Sequence, residues 1–129
     1  MIVDTSALVA ILLDEPEFNE FTLLIEDCVQ CRVSAVSFVE LLIVMESRIG
    51  PSAVSRIDAF LFRTAIAVEP VTYEQPLLAR RAFLEFGKGR HPAGLNFGDC
   101  FAYALAKAAG EPLLFKGDDF SRTDLISAR

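Results

Sequence analysis

Short apolar runs alternate along this chain with longer segments of helical periodicity. The runs at 1–3, 31–34, 65–68 and 113–115 predict strands, and Leu125-Ile126 predicts a last short edge strand. Apolar spacing predicts helices over 7–13, 17–27, 35–48, 53–64, 72–86 and 97–109. Strands that alternate with helices are typical of a parallel sheet covered on both faces. The pattern therefore predicts an α/β three-layer sandwich with a short parallel central sheet.

Cap residues mark the ends of two of these helices. Ser34 is placed to cap the helix 35–48, and Asn96 to cap the helix 97–109, which ends before Gly110. The helix 35–48 is apolar almost all round. We therefore expect it to be central or to lie against a second subunit.

Length and composition favour one globular domain, residues 1–129. Hydrophobic residues make up 53% of the chain, which excludes a disordered protein. No apolar run reaches the roughly 18 residues of a membrane-spanning helix, and the N-terminus lacks the basic lead of a signal peptide. We expect no membrane association and a cytoplasmic location.

The cysteines are three in number, which does not fit a secreted disulfide framework. Cys28 and Cys31 form a C-x-x-C motif, but neither a second cysteine pair nor a nearby histidine completes a zinc site. We interpret them as reduced thiols.

The formal net charge is −6, so the chain is a poor non-specific binder of nucleic acid. A polyanionic substrate would have to meet a local basic rim and bound cations. The candidates for that rim are Arg80, Arg81, Lys88, Arg90, Lys107, Lys116 and Arg122. The same residues fit a solvated helix face equally well.

Acidic residues recur at the carboxyl ends of the predicted strands. Asp4 follows the first strand, and Glu40 lies in the second turn of the helix after the second strand. Asp99 opens a later helix, while Asp118 and Asp119 follow the strand at 113–115. Ligands of open parallel sheets bind at this edge, where the strand order reverses. We expect these acids to converge on one pocket.

Two of the acids also have a purely structural explanation as helix caps. Asp4 can cap a helix, although Thr5 and Ser6 offer the same chemistry. Asp99 stands three residues after Asn96, the spacing of a capping box.

The remaining acids differ in how well a structural role explains them. Glu40 has no basic residue three or four positions away on its helix, and its surroundings are apolar. Asp118 and Asp119 fit an ordinary solvated turn. The set as a whole is more informative than any one member.

Clustered carboxylates need a cation. Two of them about 4 Å apart repel by around 4 kcal/mol at an effective dielectric near 20. Ligands that are all oxygen favour Mg²⁺ or Mn²⁺ over zinc, and such an ion supports phosphodiester hydrolysis. His91 is the lone histidine, and we assign it to the rim or to a structural role. Motifs for nucleotide cradles and for the serine hydrolase elbow are missing.

Blocks of sequence around these acids resemble a known family. They read MIVDTSALVAIL at 1–12, SAVSFVELL at 34–42, LNFGDCFAYALA at 95–106 and LLFKGDDFSRTD at 113–124. In this order and spacing the chain resembles the PIN-domain ribonucleases, specifically the VapC-type toxins of bacterial toxin–antitoxin pairs.

The resemblance implies an activity and its partners. The chain is expected to be a Mg²⁺-dependent endoribonuclease, with Mn²⁺ as a possible substitute, that cuts cellular RNA. A VapB-like antitoxin would hold it inactive, and a homodimer is the expected assembly.

The resemblance also assigns the site residues. Asp4, Glu40 and Asp99 match the invariant acidic positions, with Asp4 and Asp99 as the metal ligands. The fourth acid is Asp119 or Asp118, and the pattern leans to Asp119. Thr5 or Ser6 would orient the bound water or a phosphate oxygen.

A second hypothesis from a different class is a non-catalytic binding module. Its acidic pocket would receive arginines of a protein partner, and the apolar helix 35–48 would form the interface.

Overall fold

The structure is a computed structural model that describes residues 1–129. The strands are β1 (Ile2–Val3), β2 (Arg32–Ser34), β3 (Ala67–Glu69) and β4 (Leu113–Leu114). The helices are α1 (Thr5–Leu12), α2 (Phe18–Glu26), α3 (Ala35–Ile49), α4 (Ala53–Thr64), α5 (Glu74–Phe86) and α6 (Phe97–Ala109). Short 3₁₀ turns cover Gly50–Ser52 and Phe120–Arg122.

The four strands form one parallel sheet in the order β3-β2-β1-β4. Ile2 of β1 pairs with Arg32 on one side and with Leu113 on the other. The chain adds β2 and β3 on one side of β1 and then crosses to place β4 on the other side. The strand order thus reverses between β1 and β4, where open parallel sheets bind ligands.

Two hydrophobic cores lie on opposite faces of this sheet. Val3, Val33 and Leu114 pack with residues of α1 to α4, whereas Ile2 and Leu113 pack with residues of α5 and α6. Successive residues of β1 and of β4 therefore point to opposite faces, as the pleat requires. The predicted three-layer sandwich with helices on both faces is confirmed.

Three predicted boundaries were wrong by two residues. Helix α5 begins at Glu74 and not at Thr72. Helix α1 begins at Thr5 and not at Ala7, because Asp4 itself is the N-cap. The third strand begins at Ala67, because Ala65 adopts a left-handed conformation (φ 53°) that ends α4.

The predicted edge strand at Leu125-Ile126 is reduced to a single bridge one residue further on. Ser127 forms a parallel bridge with Leu113. The Leu113 N–H donates to the Ile126 carbonyl at 2.9 Å, and the Ala128 N–H donates to the Leu113 carbonyl at 2.9 Å. The C-terminal segment thereby covers the outer edge of β4.

Helix α3 is buried on one face only. Ser37, Leu41 and Met45 are buried, while Val39 and Ile43 on the opposite face are 53% and 62% exposed. Of the two placements predicted for it, central or against a second subunit, the central one is wrong within this chain, because α3 leaves an open apolar surface. None of the helices is both long and apolar enough to cross a membrane.

Candidate active site at the carboxyl end of the sheet

Asp4 lies at the carboxyl end of β1 and is only 3% exposed. Its Oδ2 caps α1 by accepting from the Ser6 N–H at 2.9 Å and from the Ser6 hydroxyl at 2.6 Å. Its Oδ1 is buried without any hydrogen-bond partner. Burial raises the pKa of Asp4, and the charge of Glu40 adds to that shift. Capping uses one carboxylate oxygen and leaves the other for a ligand.

Ser6 links the ends of β1 and β4, the two strands between which the strand order reverses. Its hydroxyl donates to Asp4 and accepts from the Lys116 backbone N–H, just beyond β4, at 3.0 Å. The resemblance offered Ser6 as a residue that orients water or phosphate. In the structure its hydroxyl orients the Asp4 carboxylate.

Glu40 projects from α3 and is held by residues of two other helices. The Thr5 hydroxyl donates to Glu40 Oε2 at 2.9 Å and lies 3.0 Å from the Ser37 carbonyl oxygen. On the other side, a Cβ placed on Gly98 would lie 2.6 Å from Glu40 Oε2. The Glu40 carboxylate thus touches the first turn of α6, whose N-terminal dipole favours negative charge.

Gly98 is a site residue that the sequence reasoning missed. Any side chain at this position would displace the Glu40 carboxylate. The sequence did contain a signal, namely a glycine inside the first turn of a helix. Glycine is unfavourable within a helix, so its presence there indicates a packing reason.

Asp99 forms the predicted capping box with Asn96. The Asn96 N–H donates to Asp99 Oδ2 at 2.8 Å, and the Asp99 N–H donates to Asn96 Oδ1 at 2.9 Å. Burial raises the pKa of Asp99 to about 7 against the effect of the Asn96 hydrogen bond. The negative charges of Asp4, Glu40 and Asp119 contribute to the same shift. Asp4, Glu40 and Asp119 therefore all lie within electrostatic range of Asp99.

Asp118 and Asp119 are both exposed in the turn after β4. Asp119 immediately precedes the 3₁₀ turn, and its charge is one of those that raise the pKa of Asp99. The Asp118 backbone carbonyl accepts from the Ser121 hydroxyl at 2.6 Å. The structure brings Asp119 into the acidic group.

The chain supplies no cation to this group. None of its ion pairs involves Asp4, Glu40, Asp99 or Asp119. Lys116, the nearest base in sequence to β4, pairs instead through Nζ with Glu15 and Glu17, at 2.6 and 2.9 Å. Only protons or a bound cation can therefore relieve the repulsion among these acids.

The donor set fits a hard divalent cation. No three His, Cys, Asp or Glu side chains form a ready-made metal cage. Mg²⁺ does not need one, because it keeps several waters and is bound through one or two carboxylates together with substrate phosphates. The buried, unpartnered Oδ1 of Asp4 is a suitable ligand atom.

The predicted basic rim is divided. Arg81 pairs with Glu85, and Lys107 pairs with Asp124. Lys116 pairs with the two glutamates named above. In contrast, Arg80, Lys88 and Arg90 form no ion pair. Arg122 donates to the Pro92 carbonyl.

His91 has structural contacts. Its Nδ1 accepts from the Ala93 N–H at 3.1 Å, and its ring meets Phe86 edge-on with centroids 5.3 Å apart. Of the two roles predicted for it, these contacts fit the structural one.

Comparisons with known proteins agree with this architecture. The sequence profile of the family described as PIN domain matches residues 1–126. The chain is 46% identical over 127 residues to the VapC ribonuclease Mb0640 of Mycobacterium bovis, covering 98% of this chain and 97% of that protein.

Solved structures share the fold at low sequence identity. VapC20 of Mycobacterium tuberculosis, described as a Sarcin-Ricin loop cleaving toxin, superposes with a TM-score of 0.78 at 20% identity, covering 99% of this chain and 98% of that one. DNA-bound VapBC from Salmonella typhimurium gives a TM-score of 0.74 at 15% identity, covering 98% and 93%.

Proposed function

This chain belongs to the PIN domain family, and from that membership we propose that it is a metal-dependent endoribonuclease, the toxin of a type II toxin–antitoxin pair. A relative that is 46% identical over nearly the full length is named a ribonuclease. One structural observation carries the proposal: a buried, unpartnered oxygen of Asp4 lies where the strand order reverses, among acids without a counter-ion. Residues 1–129 form a single domain in this proposal.

Asp4 and Asp99 are the residues that would hold the metal. Each uses Oδ2 to cap a helix, so Oδ1 of each carboxylate is spared from capping. The ion would be Mg²⁺, with Mn²⁺ as a substitute. When bound, it neutralises phosphate charge, lowers the pKa of a water and stabilises the leaving oxygen.

Glu40 and Asp119 complete the acidic set. Thr5 holds Glu40 by Oε2, which leaves Oε1 to orient the attacking water and to receive its proton. Asp119 is exposed at the rim, where it adds negative charge for the metal. We prefer it to Asp118, which has no assigned role.

A VapB-like antitoxin is the proposed protein partner, and RNA the substrate. The VapBC structure from Salmonella typhimurium is a relative in fold. Apolar side chains left open on α3 and α4, among them Ile43 and the 90% exposed Phe62, support contact with protein partners, including a second copy in a homodimer.

The test is incubation of the purified, partner-free chain with RNA in Mg²⁺ and in EDTA. RNA fragments that form only with Mg²⁺, and that Asp4→Asn does not produce, are the expected result. A folded Asp4→Asn that cleaves like the wild type would contradict the proposal. Tight antitoxin binding without any cleavage would instead favour the non-catalytic module, whose acidic pocket receives partner arginines.

A further inference from the structure

An aromatic pocket opens between α5 and α6. Its volume is about 380 Å³, and the rings of Phe83, Phe97 and Phe101 form much of its lining, together with Ala79, Arg80 and Cys100. Cys100 follows Asp99 directly in α6, so the pocket shares this helix with a proposed metal ligand.

Phe97 lines this pocket and a neighbouring one. It opens α6, directly before Gly98, and also lines a second cavity of about 480 Å³ that Glu40 shares. Its side chain is 74% exposed although it stacks on Phe101, with centroids 5.1 Å apart and planes at 58°. The exposed part of the ring is therefore available to a ligand.

Two arginines without carboxylate partners border the same pocket. Arg80 lines it, and the Arg90 guanidinium lies 5.4 Å from the centroid of the Phe83 ring. Neither forms an ion pair, whereas the adjacent Arg81 is paired with Glu85. Open aromatic faces with uncompensated arginines are the combination that binds single-stranded nucleic acid.

We propose that this pocket is a nucleobase subsite, in which a base beside the scissile phosphate of single-stranded RNA stacks on Phe97. Arg80 and Arg90 contact the neighbouring phosphates. The inference rests on the proposed ribonuclease function and adds the determinant that positions the strand. Charge favours RNA over an apolar protein segment as the occupant, since such a segment would leave both arginines without partners.

The experiment uses a single-stranded RNA that the wild-type chain cuts at one mapped bond, because that bond sets the register. An abasic residue replaces each nucleotide near the bond in turn. Stacking contributes about 1–3 kcal/mol per base, so one abasic position should raise KM about 5- to 150-fold with kcat largely unchanged.

Phe97→Ala should raise KM for intact RNA by a similar factor and should be insensitive to the abasic residue at that same position. Phe97→Trp keeps a stacking surface and should retain wild-type KM. Tyr73→Ala is the matched control, since Tyr73 is an 83% exposed aromatic residue that lines neither cavity. Arg80→Gln and Arg90→Gln should each weaken RNA binding whatever the base and lower the salt slope by about 0.7.

Several results would overturn the subsite. One is Phe97→Ala with wild-type KM; another is uniform tolerance of abasic residues. A third is Phe97→Ala that cuts RNA normally but no longer binds the antitoxin, which would make Phe97 a protein contact. Failure of the proposed function looks different, because then the wild-type chain would cut no RNA in Mg²⁺.

Discussion

At the scale of single residues, helix capping is compatible with the chemistry proposed for the same side chains. The sequence presented them as competing explanations for Asp4 and Asp99. In the structure each aspartate caps its helix through Oδ2 alone, so the two roles are compatible. Sequence could place the acids at strand ends, but the direction of each carboxylate oxygen depends on tertiary contacts such as Ser6 with Lys116.

A pair of substitutions can decide whether Asp119 or Asp118 is the fourth acid of the site. Asp119→Asn should lower the cleavage rate and the pKa of Asp99, because the charge of Asp119 contributes to that raised pKa. Asp118→Asn is the matched control and should stay near wild type. NMR titration of the Asp99 carboxyl together with cleavage rates checks both variants. A loss confined to Asp118→Asn would reverse the assignment.

Gly98→Ala should separate activity from stability. The new Cβ would lie 2.6 Å from Glu40 Oε2, and the Glu40 carboxylate, at the end of a flexible side chain, can move away. Alanine is also about 1 kcal/mol better than glycine in a helix. We expect the unfolding free energy to change by less than about 1 kcal/mol while cleavage falls at least tenfold.

The control for this substitution is the same change in a Glu40→Gln chain. There Gly98→Ala should cause little further loss, since the carboxylate it displaces is already gone. Full additivity of the two losses would mean that Gly98 acts through something other than Glu40.

Stability of the metal-free chain should fall as pH rises. Asp99 has a pKa of about 7 in the folded chain against an ordinary 3.8, so the folded state binds the proton more tightly. Its stabilising contribution is full below about pH 4 and is lost as pH rises through 7. The pKa of Asp4 is raised too, so its effect has the same sign.

Denaturant unfolding in EDTA between pH 5 and 8 measures this fall in the unfolding free energy. Asp99→Asn should flatten it, and excess Mg²⁺ should restore wild-type stability at the alkaline end. A wild-type curve that rises over the same range, or one unaffected by Asp99→Asn, would contradict the pKa assignment.

At the scale of elements, caps were the most predictable feature. Ser34 and Asn96 cap α3 and α6 as expected, because both cap signals lie within a few residues of sequence. The left-handed Ala65 was missed, since nothing in an alanine marks a positive φ. The bridge at Ser127 was also missed, because it depends on the distant Leu113.

The two ends of α6 offer a test of what the capping box does. Asn96→Ala removes the oxygen that accepts from the Asp99 backbone N–H and should lower the unfolding free energy by about 1 kcal/mol. It should also reduce cleavage, because the turn it loosens holds the Asp99 carboxylate on the Asn96 backbone N–H. Gly110→Ala, at φ 65° at the opposite end, should cost about 1 kcal/mol without affecting the cleavage rate. Equal losses of activity in both variants would mean that helix stability alone matters.

At the scale of the whole molecule, the topology brings distant acids together. Asp4 and Asp119 follow β1 and β4, neighbours in the sheet although far apart in sequence. Alternating strands and helices predicted a parallel sheet and its ligand-binding edge. The order β3-β2-β1-β4 was not predicted, because it is set by how helices on both faces bury their apolar sides.

The central claim is that this convergence creates a divalent-metal site, and calorimetric titration of Mn²⁺ into the metal-free chain tests it most directly. Wild type and Asp118→Asn should bind the ion alike, while Asp4→Asn and Asp99→Asn should lose at least tenfold in affinity and remain folded. Unchanged Mn²⁺ binding in folded Asp4→Asn and Asp99→Asn would contradict the claim.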